Sequence, residues 1–495
     1  MLTMPVASPV SFLSHWWPRV CLTKGQSTCA LQLSASPCRV SIRDKGSPHT
    51  FVRKQTLLHA VNEDEKAESE VIDEGDSGVA EFPDQVPEAG RLWSNLNPEN
   101  MSHQPGSVFG AVGLVAGTTV GAGILALPAT TAPAGFAASA VALTGGAVYA
   151  MVTALLLAEV NLNTLCELGG GGVSIVSMAE RTLGKGGTRL ASGAYLFLHY
   201  CLLVAYFSRG GEALQGLAGV PLWLGSAAFA GALGGMCYFS STKALDAING
   251  VLFAGVLLSF GVLTAGGVAD VDPQSLGEAN WGAVPATLPV ISLAFVFQNI
   301  VPVIVSNLEG DVGKVRQAIV IGTLVPLLMF LAWEAAILGN TTGVLSSGMD
   351  PVAALQAQKP ALAPAVDAFS FLAVATSTIG FVLGLSDFIA DGLSLEAGRQ
   401  QPIPYAVTIL PPYVLALSFP GIFFSALDAA GTYGVLVLFG LMPALMVWNE
   451  RYAGVLPPAA NIRIVPGGRA TLLLVGGAAL AVILNSFLTS LQGPN

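Results

Sequence analysis

The chain has 495 residues, of which 53% are hydrophobic and only 11% are charged. Soluble domains carry about 25% charged residues, so this composition excludes an ordinary soluble globular protein. The formal net charge of -10 is concentrated, because 11 of the 31 carboxylates lie between Glu63 and Glu88. This acidic run is typical of a solvated tail, and we expect no nucleic-acid partner.

Residues 1–61 have the composition of an organelle transit peptide. They contain a single acidic residue, Asp44, against seven lysines and arginines, and serine is scattered throughout. Ser-rich, basic and acid-poor segments of this kind direct import into plastids or mitochondria. We therefore predict a plastid membrane, with the mitochondrial inner membrane as the alternative. The other interpretation is a disordered cytosolic tail without a targeting signal. Residues 62–104 are predicted to be an acidic, disordered linker.

Apolar segments fill the rest of the chain. A helix needs roughly 20 apolar residues to cross a hydrocarbon core about 30 Å thick, and residues 105–495 predict about eleven such spans in an all-α integral membrane protein. The predicted spans are 108–132, 137–158, 190–210, 220–240, 247–267, 286–306, 317–338, 362–386, 404–420, 428–449 and 469–490. With an inner N-terminus, 11 basic loop residues lie on the inner face and only Arg209 and Lys359 lie opposite. This positive-inside bias places the N-terminus on the stromal side of a plastid membrane.

Two of these spans are predicted to be broken. The first contains three glycines and two threonines between Gly117 and Gly123, and Pro128 follows. Such a stretch is a poor continuous helix, although Gly117 and Gly121 could instead form a GxxxG packing motif. The sixth span carries a polar pair, Gln298 and Asn299, shortly before Pro302, and proline disrupts the helix before it.

The spacing of the two breaks predicts an inverted repeat. Five helices separate them, so two five-helix halves would enter the membrane from opposite sides and bring the breaks together near the midplane. Unwound backbone is tolerated there only beside protein or a water-filled cavity. Amides at a helix N-terminus suit a carboxylate, and carbonyls at a helix C-terminus suit an ammonium. The sequence therefore predicts a cavity that binds an amino acid.

Three segments resemble the bacterial tyrosine and tryptophan permeases, the hydroxy and aromatic amino acid permease family within the amino acid-polyamine-organocation superfamily. They read GSVFGAVGLVAGTTVGAGILALP, VPVIVSNLEGDVGKVRQAIVIGTLVPL and LGLSDFIADGL. The resemblance covers residue 106 to about residue 491 and implies that 105–495 is one permease domain with a five-plus-five inverted repeat. It also implies proton-coupled uptake of an aromatic amino acid.

The resemblance also implies which residues bind the substrate. Backbone amides of the first break would hold the carboxylate, carbonyls of the sixth break would hold the ammonium, and aromatic side chains would line the pocket. These residues are Thr119, Gly121, Ala122 and Gly123 in the first break, Phe297, Gln298 and Asn299 in the sixth, and Tyr206 in the third span. Phenylalanine and tyrosine in membrane spans often only pack in the core or face lipid, which is the alternative for Phe297 and Tyr206.

The coupling ion is left open, because the chain departs from the bacterial pattern. Gln298 and Asn299 stand where those permeases often have His-Gly, and residues 247–267 lack the lysine common in proton-coupled relatives. A proton is the first expectation and sodium the second. Candidate coupling residues are His199, Glu334, Thr376 and Ser377. Each candidate also has a structural alternative. His199 could be a neutral buried histidine, Glu334 could reach the membrane interface, and the hydroxyls of Thr376 and Ser377 could bond their own helix.

Other functions are compatible with parts of this pattern. A permease for another small neutral amino acid is one alternative, and a structural membrane protein with packed glycine-rich spans is a second. An intramembrane enzyme should show clusters of His, Asp, Glu or Cys, and the sequence shows none. The six cysteines have no metal-ligand spacing, so we expect neither a metal nor an organic cofactor. The sequence does not indicate an oligomeric state.

Overall fold

A computed structural model describes most of the chain after residue 105. The residues described are 106–168, 173–268, 271–340, 351–393, 395, 401–419, 421–453 and 462–492. The transit peptide predicted at 1–61 and the linker predicted at 62–104 lie outside them. Within these ranges the regular structure is helical and contains no strand, which confirms the all-α prediction.

The first part of the described chain consists of six helices. They are α1 (Val108–Thr119), α2 (Gly123–Thr131), α3 (Gly135–Leu168), α4 (Ile175–Ala218), α5 (Leu222–Phe239) and α6 (Thr242–Val268). The predicted first span is thus two short helices, because α1 ends at Thr119 and α2 begins at Gly123. Between α2 and α3 the chain turns at Gly135, whose φ of 73° lies in the left-handed region that glycine adopts without strain.

The second part begins with another interrupted span. Its helices are α7 (Val284–Ala294), α8 (Val301–Asn307), α9 (Val312–Leu338), α10 (Pro351–Gln358), α11 (Ala363–Gly392), α12 (Pro402–Ser418), α13 (Phe423–Ala429), α14 (Met442–Tyr452) and α15 (Gly468–Gln492). The predicted sixth span is divided between α7 and α8. Both predicted breaks are therefore present.

Nine helices in the described ranges are long and apolar enough to cross a membrane. One of these apolar stretches, Gly123–Glu167, includes both α2 and α3, and two shorter apolar helices, Val108–Thr119 and Pro402–Ser418, coincide with parts of predicted spans. The chain is therefore an integral membrane protein. The count of eleven spans and the inverted repeat stay predictions.

The predicted tenth span is not a simple α-helix. Between α13 and α14 the chain forms a π-helix of 12 residues, Ala430–Leu441, which is much longer than the single turn that π-helices usually have. The backbone of Gly431 lies directly against the backbone of Pro289 in α7. Apolar periodicity gave no sign of this π-helix, because its residues are apolar or small apart from the hydroxyl-bearing Thr432 and Tyr433.

Buried aromatic side chains join α6, α9 and α11. The ring of Trp333 lies 6.1 Å from that of Phe260 and 5.3 Å from that of Phe369, measured between centroids. The indole N–H of Trp333 also donates to the carbonyl of Ile124, at 3.2 Å. Because Ile124 is the second residue of α2, this bond ties α9 to the helix that follows the first break.

A cluster of buried charges joins α3, α4 and α14, and we call it the ion-pair cluster. It contains two pairs, Glu159 with Arg451 and Glu450 with Arg181. Arg451 donates two hydrogen bonds of 2.6 Å to the carboxylate of Glu159. These two side chains are only 4% and 1% exposed.

The same cluster holds the segment that precedes α15. The Glu159 carboxylate accepts the backbone N–H of Ile464 at 2.7 Å, and Arg451 donates to the carbonyl of Val465 at 2.9 Å. Arg181 additionally bonds Glu167 at 2.7 Å. Buried charges are stable only when they are paired and hydrogen-bonded in this way, so the cluster fixes the relative positions of three helices and a loop.

Candidate functional site

The first break lies against the middle of α11. Between α1 and α2 the backbone N–H of Ala122 donates to the hydroxyl oxygen of Ser377, at 3.1 Å. A Cβ added at Gly121 would stand 2.9 Å from the same oxygen. Glycine is therefore required at 121 by a close approach, and the partner in that approach is the Ser377 side chain.

The sixth break is held by a buried side-chain relay. Gln298 accepts the backbone N–H of Phe297 on its Oε1 atom at 3.0 Å and donates from Nε2 to the hydroxyl oxygen of Thr153 at 3.1 Å. Thr153 belongs to α3 and donates in turn to the carbonyl of Ala150. The glutamine amide thus replaces the helical hydrogen bond that the Phe297 N–H lacks, which is why the unwound backbone is stable in an apolar environment.

The two breaks are neighbours in space. A Cβ added at Gly123, the first residue of α2, would lie 3.2 Å from the Cα atom of Ala294, the last residue of α7. The N-terminal end of α2 and the C-terminal end of α7 therefore pack on each other with no side chain between them at this point. Amides of one break and carbonyls of the other are brought together, as the inverted-repeat prediction requires.

Aromatic side chains line this region. Tyr206 of α4 is 3% exposed, lies beside the Ser377 side chain, and meets the ring of Phe381 edge-on at 5.8 Å. Tyr206 and the N–H of Ala122 therefore both lie close to the Ser377 hydroxyl. Phe297 is completely buried within the sixth break.

Two predicted binding residues, Thr119 and Asn299, lie apart from the contacts between the first break and Ser377. Thr119 is buried and donates to its own helix, at the carbonyl of Val115. Asn299 is exposed although its neighbour Gln298 is buried, so the two polar side chains of the pair have different surroundings. The structure thus brings Gly121, Ala122 and Ser377 together but leaves Thr119 and Asn299 outside the group.

Two predicted coupling residues bond within their own helices. The Nδ1–H of His199 donates to the carbonyl of Tyr195 at 2.8 Å, and the imidazole packs between the rings of Tyr195 and Phe381. Thr376 donates to the carbonyl of Ala373 at 3.0 Å. These contacts are the ones expected of a neutral buried histidine and of a hydroxyl that bonds its own helix. Glu334 is fully buried and does not reach the interface.

A small cavity lies beside the sixth break, and a larger one lies elsewhere along α4. The smaller, about 10 Å³, is large enough for roughly one water molecule and is lined by polar groups of Tyr149, Thr153, Ser292 and Gln298 and by the π-helix. The larger, about 270 Å³, lies at the C-terminal end of α4 and is lined by the Arg209–Glu212 ion pair and by Gln356, Asp367 and Ser370.

Sequence reasoning missed Thr153, because only the fold brings it to Gln298.

Adjacent hydroxyls on α11 provide a matched test of the first break. Ser377→Ala removes the acceptor of the Ala122 N–H, whereas Thr376→Ala removes only a bond within α11. We expect Ser377→Ala to change the apparent substrate affinity about fivefold or more, the effect of roughly 1 kcal/mol for one hydrogen bond. Thr376→Ala should stay within about twofold. Uptake measured over a range of substrate concentrations gives both values, and equal effects would remove Ser377 from the site.

Comparison with known proteins agrees with this geometry. Residues 104–485 match the tryptophan/tyrosine permease family. A tryptophan-specific transport protein of Haemophilus influenzae is 29% identical over 409 residues, which are 77% of this chain and 94% of the relative. The tyrosine-specific transport system 2 of the same organism is 31% identical, over 77% of this chain and 96% of its own length. Glutamine transporter 2 of Aliivibrio fischeri is 26% identical, over 69% and 88%. The resemblance seen in the sequence is confirmed, and the chain belongs to the tryptophan/tyrosine permease family, whose members are transport proteins and not enzymes.

Proposed function

We propose that this permease is a secondary active transporter that carries tyrosine or tryptophan across an organelle membrane together with a proton. The observation that carries the proposal is the direct packing of the two helix breaks, at Gly123 and Ala294. This packing places the N-terminal end of one half-helix beside the C-terminal end of another. A zwitterion needs both, since its carboxylate is attracted to the positive end of a helix dipole and its ammonium to the negative end.

Binding of the carboxylate begins with an exchange of acceptors. The N–H of Ala122 donates to Ser377 in the structure, and a carboxylate oxygen is a stronger acceptor than a neutral hydroxyl. The substrate therefore takes the place of Ser377 at the N-terminus of α2. The released Ser377 hydroxyl then turns to the hydroxyl of Tyr206, which lies beside it.

The breaks must separate to admit the substrate. Gly123 and Ala294 leave no space between them, and the amino acid enters only when α2 moves relative to α7. Such a movement is the rocking of one repeat against the other that alternating access requires. The aromatic side chains of Tyr206 and Phe297 then contact the ring of the substrate, with favourable edge-on or offset geometry.

Two observations bear on the substrate. The buried aromatic side chains beside the breaks favour an aromatic amino acid, and so do the relatives named for tryptophan and tyrosine. The relative named a glutamine transporter supports a second candidate, a small neutral amino acid. A polar substrate side chain could bond the Gln298–Thr153 relay, which is a set of uncharged polar groups at the sixth break.

A transport assay decides between these proposals. The protein is reconstituted into vesicles, and uptake of labelled tyrosine is measured against a panel of unlabelled amino acids, with a pH gradient and a sodium gradient imposed in turn. We expect competition by tyrosine and tryptophan and accumulation driven by the pH gradient. Competition by glutamine alone would replace the aromatic assignment, and accumulation that requires sodium would replace the proton.

The organelle location is tested separately. We propose a plastid membrane with the N-terminus on the stromal side, based on the basic, serine-rich composition of residues 1–61. Residues 1–61 fused to a fluorescent reporter should enter plastids. Mitochondrial fluorescence would move the permease to that organelle's inner membrane, and a diffuse cytosolic signal would contradict import.

A further inference from the structure

Glu334 is a buried carboxyl without a charged partner. It lies in α9 and is 0% exposed. Its Oε2 atom lies 2.7 Å from the hydroxyl oxygen of Thr131, the last residue of α2. Its Oε1 atom has no hydrogen-bond partner among the described residues. An ionised carboxylate in such surroundings carries a large desolvation cost.

The hydrogen bonds around Thr131 can be counted. Its hydroxyl oxygen is 2.7 Å from Glu334 and also 2.7 Å from the carbonyl of Leu127. A threonine hydroxyl has one hydrogen, and a carbonyl only accepts. If Glu334 were ionised, the single hydrogen could serve only one of the two acceptors. If Glu334 is protonated, its O–H donates to Thr131 and the Thr131 O–H donates to Leu127, so both short distances are explained.

Few charges face this carboxyl from the elements packed on α9. The helices α1, α2, α8 and α10 contain no Asp, Glu, Lys, Arg or His. The titratable residues on the remaining neighbours and on α9 itself are Tyr149, Glu159, Cys166 and Glu167 of α3, Lys243 and Asp246 of α6, Asp367, Asp387 and Asp391 of α11, Asp272, Glu278 and Lys359 of the adjoining loops, and Lys314 and Arg316 of α9.

Several of these groups are engaged elsewhere. Glu159 and Glu167 belong to the ion-pair cluster or bond to it, and Asp272 accepts hydrogen bonds from its own loop. Lys359 follows α10, one of the helices that pack on α9. Its Nζ donates to the carbonyl of Gly266 at 3.2 Å, beside the point where α6 meets α9. No described side chain forms a salt bridge with Glu334.

Consecutive residues of α9 hold both ends of α2. Trp333 bonds Ile124 at the start of that helix, and Glu334 bonds Thr131 at its end. The same half-helix presents the Ala122 and Gly123 amides to the proposed substrate carboxylate. Loss of the proton from Glu334 would leave an unpaired buried charge, which is relieved when α2 moves away and water reaches the carboxylate. Proton release is therefore linked to movement of the substrate-binding helix.

From this geometry we propose that Glu334 binds the proton that is coupled to substrate movement. The inference rests on the proposed proton symport and adds the residue that performs it. The proton binds when α2 opens toward the acidic side, stays on Glu334 while α2 packs on α9, and leaves when α2 separates again. No other atom is transferred.

The test compares exchange with accumulation in vesicles that contain the full chain. Glu334→Gln mimics the protonated acid permanently, since its amide can donate to Thr131 but cannot release a proton. We expect exchange of labelled tyrosine for internal tyrosine to persist. Accumulation driven by a pH gradient, about tenfold per pH unit for one proton, should fall to none. Glu180→Gln, on the exposed surface of α4, is the matched control and should accumulate like the unchanged protein.

Thr131 supplies a second test that does not depend on folding of the Glu334 variant. Thr131→Val removes the acceptor of the acid proton and should reduce pH-driven accumulation at least threefold, while Thr131→Ser should preserve it. Full pH-driven accumulation by Glu334→Gln, or equal behaviour of the two Thr131 variants, would overturn the assignment of Glu334. Absence of pH-driven accumulation in the unchanged protein would instead overturn the proposed proton symport, so the two failures are distinguishable.

Discussion

Gly121→Leu should abolish uptake while leaving the protein inserted in the membrane. A Cβ at this position would stand 2.9 Å from the Ser377 hydroxyl oxygen, so a leucine side chain would displace that hydroxyl from the Ala122 N–H and occupy the space beside the first break. The Ala122 amide would then lose its position relative to the C-terminal end of α7. Because a displacement of about 1 Å can cost 100-fold in rate, we expect uptake to fall by about 100-fold or more.

Gly113→Leu is the matched control for this substitution. Gly113 is exposed on α1, and no atom lies within 4 Å of an added Cβ there. The two variants share the chemical change and differ only in the space available. Uptake in vesicles and the amount of inserted protein are measured for both. Normal uptake by Gly121→Leu, or equal loss in both variants, would contradict a binding site at the first break.

The second large effect concerns stability and should follow from Arg451→Met. The guanidinium makes two hydrogen bonds of 2.6 Å to Glu159 in a site that excludes water. Removing one partner leaves an uncompensated buried carboxylate, which typically costs 3–5 kcal/mol. We expect a lower thermal unfolding temperature in detergent and a lower yield of inserted protein, although Arg451 lies far along the chain from either break.

Two further variants identify the cause of that loss. Replacing both Glu159 and Arg451 by methionine should recover part of the stability, because no unpaired charge remains. The recovery is incomplete, since Glu159 also accepts the backbone N–H of Ile464. Glu167→Gln, at a partly exposed carboxylate, should change stability by less than about 1 kcal/mol. Unfolding of Arg451→Met at the temperature of the unchanged protein would show that the buried pair contributes nothing.

The sequence predicted the breaks because they depend on local chemistry. Glycine and threonine between 117 and 123 weaken a helix wherever they stand, and Pro302 disturbs the turn before it in any fold. The observed ends of α1 at Thr119 and of α7 at Ala294 agree with that local preference. Membrane character was equally accessible, since hydrophobic length alone determines whether a helix can cross the bilayer.

The contacts that build the site depend on distant residues and were not accessible in the same way. Ser377 lies 255 positions from Ala122, and Thr153 lies 145 positions from Gln298. A hydroxyl mid-span has the same local preferences whether it bonds its own helix, as Thr376 does, or a break in another helix, as Ser377 does. The sequence did not reveal the burial of Glu334 either. A side chain that lies four residues from the end of a span can face either the lipid headgroups or another helix.

The π-helix at Ala430–Leu441 has a consequence for mutational scanning of that span. In an α-helix, side chains three and four residues apart share a face, and helical-wheel assignments depend on this period. Each hydrogen bond of a π-helix encloses one more residue than that of an α-helix, so each turn contains more residues. The true angular position of each side chain therefore differs increasingly from the position that an α-helical wheel assigns. A scan of this span read on an ordinary wheel would assign positions after Ala430 to the wrong neighbours. Substitutions there should be grouped by the wider turn of the π-helix rather than by the 3.6-residue turn of an α-helix.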